Sequence, residues 1–224
     1  MPDSELQNAV FLDLDSLDRD DLDLSKLNAI VDTWEWHGLV GEGELHDVLA
    51  GAEIVVSNKV VLTDEHFSRA EHLKLVCIAA TGTNNVDLEA AERHNIAVCN
   101  VGGYATRSVV QQVFTLLLVL TTGFNEYSAA VKRGDWGRSK FFCLLDYPIR
   151  ELAGKTIGIV GYGHLGKAVA SIAEAFGMKV LLAKRDSGDS RPGRIALQDL
   201  LPQVDVLSLH CPLTEQTRGM IAAN

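Results

Sequence analysis

The first hundred residues alternate between short apolar runs and stretches with helical spacing. Four runs rich in β-branched and other apolar residues predict buried strands at 9–14, 53–57, 73–79 and 96–99. Helical spacing lies between them, at 43–49, 64–70 and 88–94. Because strands that alternate with helices and are joined by short connections form parallel sheets, this part of the chain predicts a parallel sheet covered on both faces.

The second half opens with two apolar helical stretches, 105–122 and 124–134, and then returns to alternating strands and helices. Strands are predicted at 155–160, 179–183 and 204–209. After the first of them, apolar residues follow the spacing of one helical face, at Leu165, Ala168, Val169, Ile172, Ala173 and Phe176. Gly177 ends that helix. The order of strand, turn, helix and strand predicts a βαβ unit.

The turn inside this βαβ unit reads Gly161-Tyr162-Gly163-His164-Leu165-Gly166. A G-x-G-x-x-G pattern between a strand and a helix is typical of dinucleotide sites, because glycines let the backbone approach a pyrophosphate. The pyrophosphate is then held by the N–H groups and positive dipole at the helix start. The alternative is a purely structural tight turn in another α/β protein. We expect the chain to bind a dinucleotide.

The end of the next strand bears on which dinucleotide is bound. An Asp or Glu about 20 residues beyond such a turn accepts hydrogen bonds from the adenosine ribose. Here Lys184 and Arg185 occupy that place, and the nearest carboxylate is Asp186. Two cations attract a 2′-phosphate, which a carboxylate would repel. The sequence therefore predicts NADP in preference to NAD, unless Lys184 and Arg185 are an ordinary solvated strand end.

Composition narrows the range of partners. The net charge of −10 and the pI near 5.1 argue against a nucleic-acid partner, since there is no basic stripe. The acidic run at 13–23 is interpreted as a solvated loop, because it lacks the spacing of a calcium loop. The four cysteines stand far apart, which predicts neither a disulfide framework nor a zinc site, and no metal is expected.

Location is predicted from what the chain lacks. The longest apolar run, Val113 to Leu120, is too short to span a bilayer, and no signal-peptide pattern stands at the N-terminus. We therefore expect no membrane partner and a cytoplasmic protein.

Several motifs together resemble the D-isomer-specific 2-hydroxyacid dehydrogenase family over nearly the whole chain. The similar segments are Ala80 to Asp87, Val98 to Tyr104, the glycine-rich turn, and Leu209 to Thr214 with Thr217. The segment from Gly134 to Leu152 looks most like the glycerate dehydrogenase (hydroxypyruvate reductase) branch. The resemblance implies an α/β fold with two parallel-sheet lobes. One is a flavodoxin-like substrate-binding (catalytic) domain at 1–104. The other, 105–224, is an inter-domain helix and an incomplete Rossmann dinucleotide-binding domain.

The resemblance also implies roles for individual residues. Thr81 and Gly82 match a loop whose backbone N–H groups hold the substrate carboxylate, and Thr81 also approaches the cofactor; a plain strand-to-helix turn is the alternative. Cofactor contacts are implied for the glycine-rich turn and for three later residues, namely Gly161, Gly163, His164, Leu165, Gly166, Cys211, Pro212 and Thr217. His210 corresponds to a structural or cofactor-side residue of the family.

Reduction of a 2-keto acid needs a hydride, a cation that clamps the carboxylate, and a proton donor. The family supplies the last two with an Arg in an Ala-Arg-Gly segment, a Glu, and a His in a Pro-His segment. Neither segment is present, so no catalytic residue is assigned. Either the chain is a C-terminally truncated piece of a dehydrogenase, or it is a complete non-catalytic module that senses dinucleotides. We expect the 224-residue polypeptide alone to be inactive towards hydroxypyruvate and glyoxylate.

Further expectations concern assembly and competing functions. The resemblance and the apolar helices from 105 onward suggest a homodimer that binds a small 2-keto or 2-hydroxy acid. A half sheet of three strands would leave Ile159, Val180 and Leu207 incompletely covered. A methyltransferase also uses a glycine-rich turn after a strand, but the cations at 184 and 185 argue against it.

Overall fold

The computed structural model describes residues 6–185 and 188–222. The chain divides into two compact units, the first ending at Gly102 and the second beginning at Gly103.

The described part of the first unit contains five strands and four α-helices. The strands are β1 (Asn8–Phe11), β2 (Thr33–Trp36), β3 (Ile54–Ser57), β4 (Leu75–Ile78) and β5 (Ala97–Asn100). The helices are α1 (Ser25–Asn28), α2 (Leu45–Leu49), α3 (Asp64–Arg69) and α4 (Leu88–Arg93). The four predicted strands and three predicted helices are confirmed, with ends shifted by at most three residues.

All strand pairs in this unit are parallel, in the order β2-β1-β3-β4-β5. This is the flavodoxin-like order, in which the chain reverses direction across the sheet at β1 and β3. Alternate strand residues such as Val10 and Val55 face the main core, whereas Ala9 and Ile54 face a smaller cluster on the opposite side. The predicted parallel sheet is confirmed.

Strand β2 was not predicted, although its sequence carries a signal. Thr33-Trp34-Glu35-Trp36 alternates polar and apolar residues, which is the period of a half-buried strand. Trp34 and Trp36 stack on one face with ring centroids 4.6 Å apart. In this edge strand only the tryptophan face is partly buried, whereas Thr33 and Glu35 are exposed, so β2 lacks the continuous apolar run of the central strands.

In the second unit, the residues that the structure describes form four strands and five α-helices. The helices are α5 (Thr106–Thr122), α6 (Phe124–Lys132), α7 (Asp135–Arg138), α8 (His164–Ala175) and α9 (Leu197–Leu200). The strands are β6 (Thr156–Val160), β7 (Lys179–Ala183), β8 (Arg194–Ile195) and β9 (Val206–Leu209). The predicted helices and the three predicted strands are confirmed, whereas the two-residue β8 is too short for any periodic signal.

The strands of the second unit are parallel and ordered β8-β7-β6-β9. Numbered within this unit the order is 3-2-1-4, which is the arrangement of strands around the first half of a Rossmann sheet. Helix α5 packs against α8, and Phe114 stacks on Phe176 at 5.2 Å. Gly158 in β6 leaves room for Leu200 of α9, since a Cβ there would lie 2.6 Å from the leucine Cδ2.

Two interpretations of the sequence need correction, the incomplete covering of Ile159 and the solvation of Asp13. Ile159 is completely buried, because it packs against α8, whereas Val180 and Leu207 are only partly buried, as expected for the half sheet. Asp13 is not part of a solvated loop, since its exposed fraction is 0%. For membrane spans no correction is needed: within the described residues, no single helix is long and apolar enough to cross a bilayer. Helices α5 and α6 meet the criteria of length and hydropathy only as a pair, and the pair is bent by 64°.

Candidate functional site

The glycine-rich turn between β6 and α8 is shaped by two glycines that touch neighbouring backbone. Gly161 has φ +92°, and a Cβ there would lie 2.5 Å from the carbonyl carbon of His210. A Cβ on Gly166 would collide with the carbonyl oxygen of Gly161. The turn can therefore close this tightly only with glycine at both places.

The third glycine of the turn faces open space. Gly163 precedes α8, and nothing lies within 4 Å of the position that its Cβ would take. Gly163 has no side chain with which to cap the helix. The first intrahelical bond runs from the Lys167 N–H to the Gly163 carbonyl at 3.0 Å, so three preceding N–H groups, those of residues 164–166, have no acceptor in the helix. This arrangement suits an anion at the helix start.

The segment after β9 lies against the same turn. The His210 N–H donates to the Val160 carbonyl at 2.7 Å, and Cys211 N lies 2.6 Å from the Cβ position of Gly161. Further on, the Thr217 hydroxyl donates to the Pro212 carbonyl at 2.7 Å. Cys211 is thus beside the glycine turn, and the Thr217 bond shapes the segment that follows it.

His210 is turned towards its own strand. Its Nε2 lies 2.8 Å from the Ser208 hydroxyl, and burial lowers the pKa of its imidazole. This local bond agrees with a structural or cofactor-side residue.

The end of β7 carries the two predicted cations. The Lys184 N–H donates to the Ile195 carbonyl at 2.8 Å, which extends the ladder between β7 and β8, and the Arg185 side chain is exposed. Among the described residues, no carboxylate forms an ion pair with either side chain. Asp186, the nearest carboxylate in the sequence, lies outside the described residues.

A carboxylate further along this loop is already engaged. Asp189 accepts hydrogen bonds from the Arg191 guanidinium at 2.7 and 2.6 Å and from the Arg185 N–H at 2.9 Å. The Arg191 guanidinium and then the Arg185 N–H hold the pKa of this carboxyl far below its usual range, and its side chain is only 5% exposed. Asp189 therefore closes the loop and has little capacity left to accept from a ribose.

Two residues at this edge were missed by the sequence analysis. The Arg194 guanidinium carbon lies 4.9 Å from the ring centroid of Tyr162, the residue between Gly161 and Gly163. Arg194 also donates to the Ala183 carbonyl at 3.4 Å. No sequence signal marks Arg194, because the contact depends on how β8 pairs with β7.

In the first unit, the Thr81 and Gly82 loop follows β4. The Thr81 hydroxyl donates to the Val101 carbonyl at 2.9 Å, and the Asn100 amide donates to the Thr81 carbonyl at 2.8 Å. Thr81 and Gly82 are both exposed. Asn100, which the sequence analysis did not single out, thus joins with Thr81 in fixing the conformation of an exposed loop.

The turn at residues 58–60, which follows the neighbouring strand β3, donates its N–H groups to a side chain of the protein itself. The buried Asp13 carboxylate accepts from the N–H groups of Asn58 at 2.8 Å, Lys59 at 2.6 Å and Val60 at 3.3 Å. No group of three or more possible metal ligands occurs in the described part of the chain.

The comparisons with known proteins agree with this arrangement. Residues 114–224 match the family model of the D-isomer specific 2-hydroxyacid dehydrogenase NAD-binding domain. The chain is 41% identical over 217 residues to a glycerate dehydrogenase of Methylorubrum extorquens, covering 97% of this chain and 67% of the relative. The chain belongs to the D-isomer-specific 2-hydroxyacid dehydrogenase family, whose members are NAD-dependent oxidoreductases.

Two further comparisons support this assignment. A hydroxypyruvate reductase of Blautia hydrogenotrophica is 36% identical over 218 residues, covering 95% of this chain and 68% of the relative. The solved structure of the TT0316 protein from Thermus thermophilus is similar with a TM-score of 0.75 and 29% identity, covering 94% of this chain and 67% of that one. The chain thus spans about two thirds of the length of these relatives.

Proposed function

We propose that the protein is a nicotinamide-dependent dehydrogenase that interconverts a small 2-keto acid, such as hydroxypyruvate or glyoxylate, with its 2-hydroxy acid. The observation that carries the proposal is the start of α8, which has no side-chain cap and follows Gly163, whose Cβ position lies in open space. The names of the two relatives, glycerate dehydrogenase and hydroxypyruvate reductase, support the choice of substrate.

The residues of the glycine turn would bind the pyrophosphate of the cofactor. Gly161 and Gly166 fix the turn, Gly163 would leave space for the phosphates, and the N–H groups of His164 and Leu165 would donate to them. Cys211, Pro212 and Thr217 would line the cofactor beside this turn. When bound, the nicotinamide supplies the hydride.

In the first unit, the substrate carboxylate would be held by the backbone N–H groups of Thr81 and Gly82. Glycine lets an anion come close to the backbone, and the bonds from Thr81 and Asn100 keep the loop in shape. These contacts would position the acid and assist polarisation of its carbonyl.

For the cofactor we propose NADP in preference to NAD. Lys184 and Arg185 would face the 2′-phosphate, and Asp189, a carboxylate that could otherwise accept from the ribose hydroxyls, is engaged by Arg191 and Arg185. Each charge-assisted hydrogen bond to the phosphate contributes about 1.5–3 kcal/mol. We therefore expect at least about tenfold tighter binding of NADPH than of NADH.

The experiment measures two quantities, cofactor affinity and turnover, both with the full-length protein. Fluorescence titration with NADPH and NADH measures the cofactor preference, and loss of NADPH absorbance on addition of hydroxypyruvate or glyoxylate measures turnover. Gly82→Val should raise KM for the keto acid with little change in NADPH affinity. Gly43→Val, at an open loop position, is the matched control. NADPH binding without oxidation on any small 2-keto acid would contradict the proposed reaction.

We also propose that the protein forms a homodimer in the cytoplasm. A segment of the second unit exposes large apolar side chains, with Phe142 95%, Leu145 83% and Phe141 75% accessible. Exposed apolar groups of this density mark a protein interface. Phe142→Ser should halve the mass measured by sedimentation.

The four cysteines, all free, suit a reducing compartment.

A further inference from the structure

Arg194, at the edge of the second sheet, is held by two contacts with neighbouring residues, unlike a solvated surface arginine. Its guanidinium lies 4.9 Å from the Tyr162 ring centroid and donates to the Ala183 carbonyl at 3.4 Å. The residue is half-buried on the two-residue strand β8. Tyr162 belongs to the glycine turn and Ala183 is the last residue of β7, so Arg194 joins the two places where a dinucleotide's phosphates and adenosine would lie.

The register of the sheet places Arg194 on the same face as Lys184. Arg194 is paired with Leu182 in the parallel ladder, and paired residues point to the same side of a sheet. Lys184 follows Leu182 by two positions, and its N–H continues the ladder to Ile195. Two cations therefore stand on one face, at the carboxyl ends of neighbouring strands.

The chemistry of arginine suits a phosphate in this position. One face of the guanidinium is used by the Tyr162 ring, whereas its planar edge can donate two parallel hydrogen bonds. A monoester phosphate presents oxygens that match this edge, and stacking on Tyr162 removes rotational freedom that binding would otherwise have to restrict. Arg191, by contrast, is already paired with Asp189.

We propose that Arg194 contacts the 2′-phosphate of NADP(H) together with Lys184, and that Tyr162 is the positioning residue that holds its guanidinium. This assignment rests on the proposed function, since it concerns the same cofactor site. It adds to the site a residue that no sequence pattern indicates, drawn from the third strand of the sheet.

The test measures the affinities of the full-length protein for NADPH and NADH by fluorescence titration. Arg194→Met should lower the affinity for NADPH roughly 10- to 100-fold and the affinity for NADH less than about twofold. Arg194→Lys keeps the positive charge but loses the paired N–H donors of the guanidinium. Its loss of NADPH affinity should therefore be smaller than that of Arg194→Met. Lys179→Met removes a cation at the opposite end of β7 and is the matched control for net charge. Equal losses for NADPH and NADH in Arg194→Met would overturn the assignment.

The role of Tyr162 is tested through the same affinity ratio. Tyr162→Leu should lower the preference for NADPH in the wild-type background but leave it unchanged when Arg194 is already Met, since a positioning residue acts only through its partner. An equal effect of Tyr162→Leu in both backgrounds would overturn this role.

Failure of the inference and failure of the proposed function give different results. If the wild-type protein prefers NADPH, and Lys184→Met lowers that preference while Arg194→Met does not, only the Arg194 assignment is overturned. If the wild-type protein prefers NADH, the choice of NADP fails as well.

Discussion

Two turns of this chain, one in each unit, present backbone N–H groups at the carboxyl end of a parallel strand. In the first unit, residues 58–60 follow β3 and donate to the buried carboxylate of Asp13. In the second unit, the glycine turn follows β6 and leads into α8, where open space stands above Gly163. The first turn is closed by an anion of the chain itself, whereas the second has room for an anion from outside.

The difference shows that converging N–H groups do not by themselves make a binding site. Such a turn stabilises the fold when a side chain of the protein already accepts its N–H groups, and it can bind a ligand when no side chain does. Asp13 is completely buried and its oxygens are used, so the first turn stabilises the fold. At the second turn the residue that could have supplied a side chain is Gly163, and the place above it stays open.

The largest effect is expected from substitution of Gly161. Gly161→Val places a Cβ 2.5 Å from backbone atoms of His210 at a φ of +92°, so it should destabilise the second unit by more than about 4 kcal/mol, measured by urea unfolding. Gly163→Ala is the matched variant, because its Cβ meets open space. Its free energy of unfolding should stay within about 1 kcal/mol of the wild-type value. Its affinity for NADPH should fall at least about tenfold. Unaltered NADPH affinity in Gly163→Ala would show that the open space is not the phosphate site.

A smaller effect is expected in the first unit. Asp13→Asn keeps the shape but turns one acceptor into a donor that faces the Lys59 N–H. We expect a loss of about 2–3 kcal/mol in the free energy of unfolding, because buried N–H groups lose their acceptor. Asp20→Asn, in the exposed part of the acidic run, is the control and should change stability by less than about 0.5 kcal/mol. Similar stabilities of the two variants would contradict the structural role of the Asp13 carboxylate.

The smallest effect concerns pH. Burial, and then the positive charge of the neighbouring His46, lower the pKa of His66 from 6.5, and its Nδ1 accepts the Thr63 N–H at 3.1 Å. The unfolded chain therefore binds a proton more readily, so this stabilisation is present above pH 6.5 and is lost as the pH falls towards the lowered pKa. His66→Gln keeps an acceptor for the cap without titrating, so stability should depend less on pH between about 5 and 7.

The control for this pH dependence is His72→Gln, which removes an exposed histidine of the same unit. Unfolding by urea at several pH values measures the slope. A slope that falls equally in both variants would contradict the assignment to His66.

Periodicity and turn residues were sufficient for most of the fold. The central strands are covered on both faces and therefore read as continuous apolar runs, which is why β3, β4 and β6 were predicted close to their observed ends. Strand β2 has only one covered face and β8 only two residues, so neither carries such a run. The acidic run illustrates a second limit, because burial of Asp13 depends on residues 58–60, far away in the sequence.

By itself, the sequence determined the element types, the glycine turn and the pair of cations after β7, because these follow from local backbone chemistry. Only the tertiary structure decided that Asp189 is engaged within its own loop and that Arg194 stacks on Tyr162. It also decided that Asp13 fills one turn while the space above Gly163 stays open. The reason is physical: which polar group meets which acceptor depends on strand register and packing between distant segments, and neither is encoded in spacing along the chain.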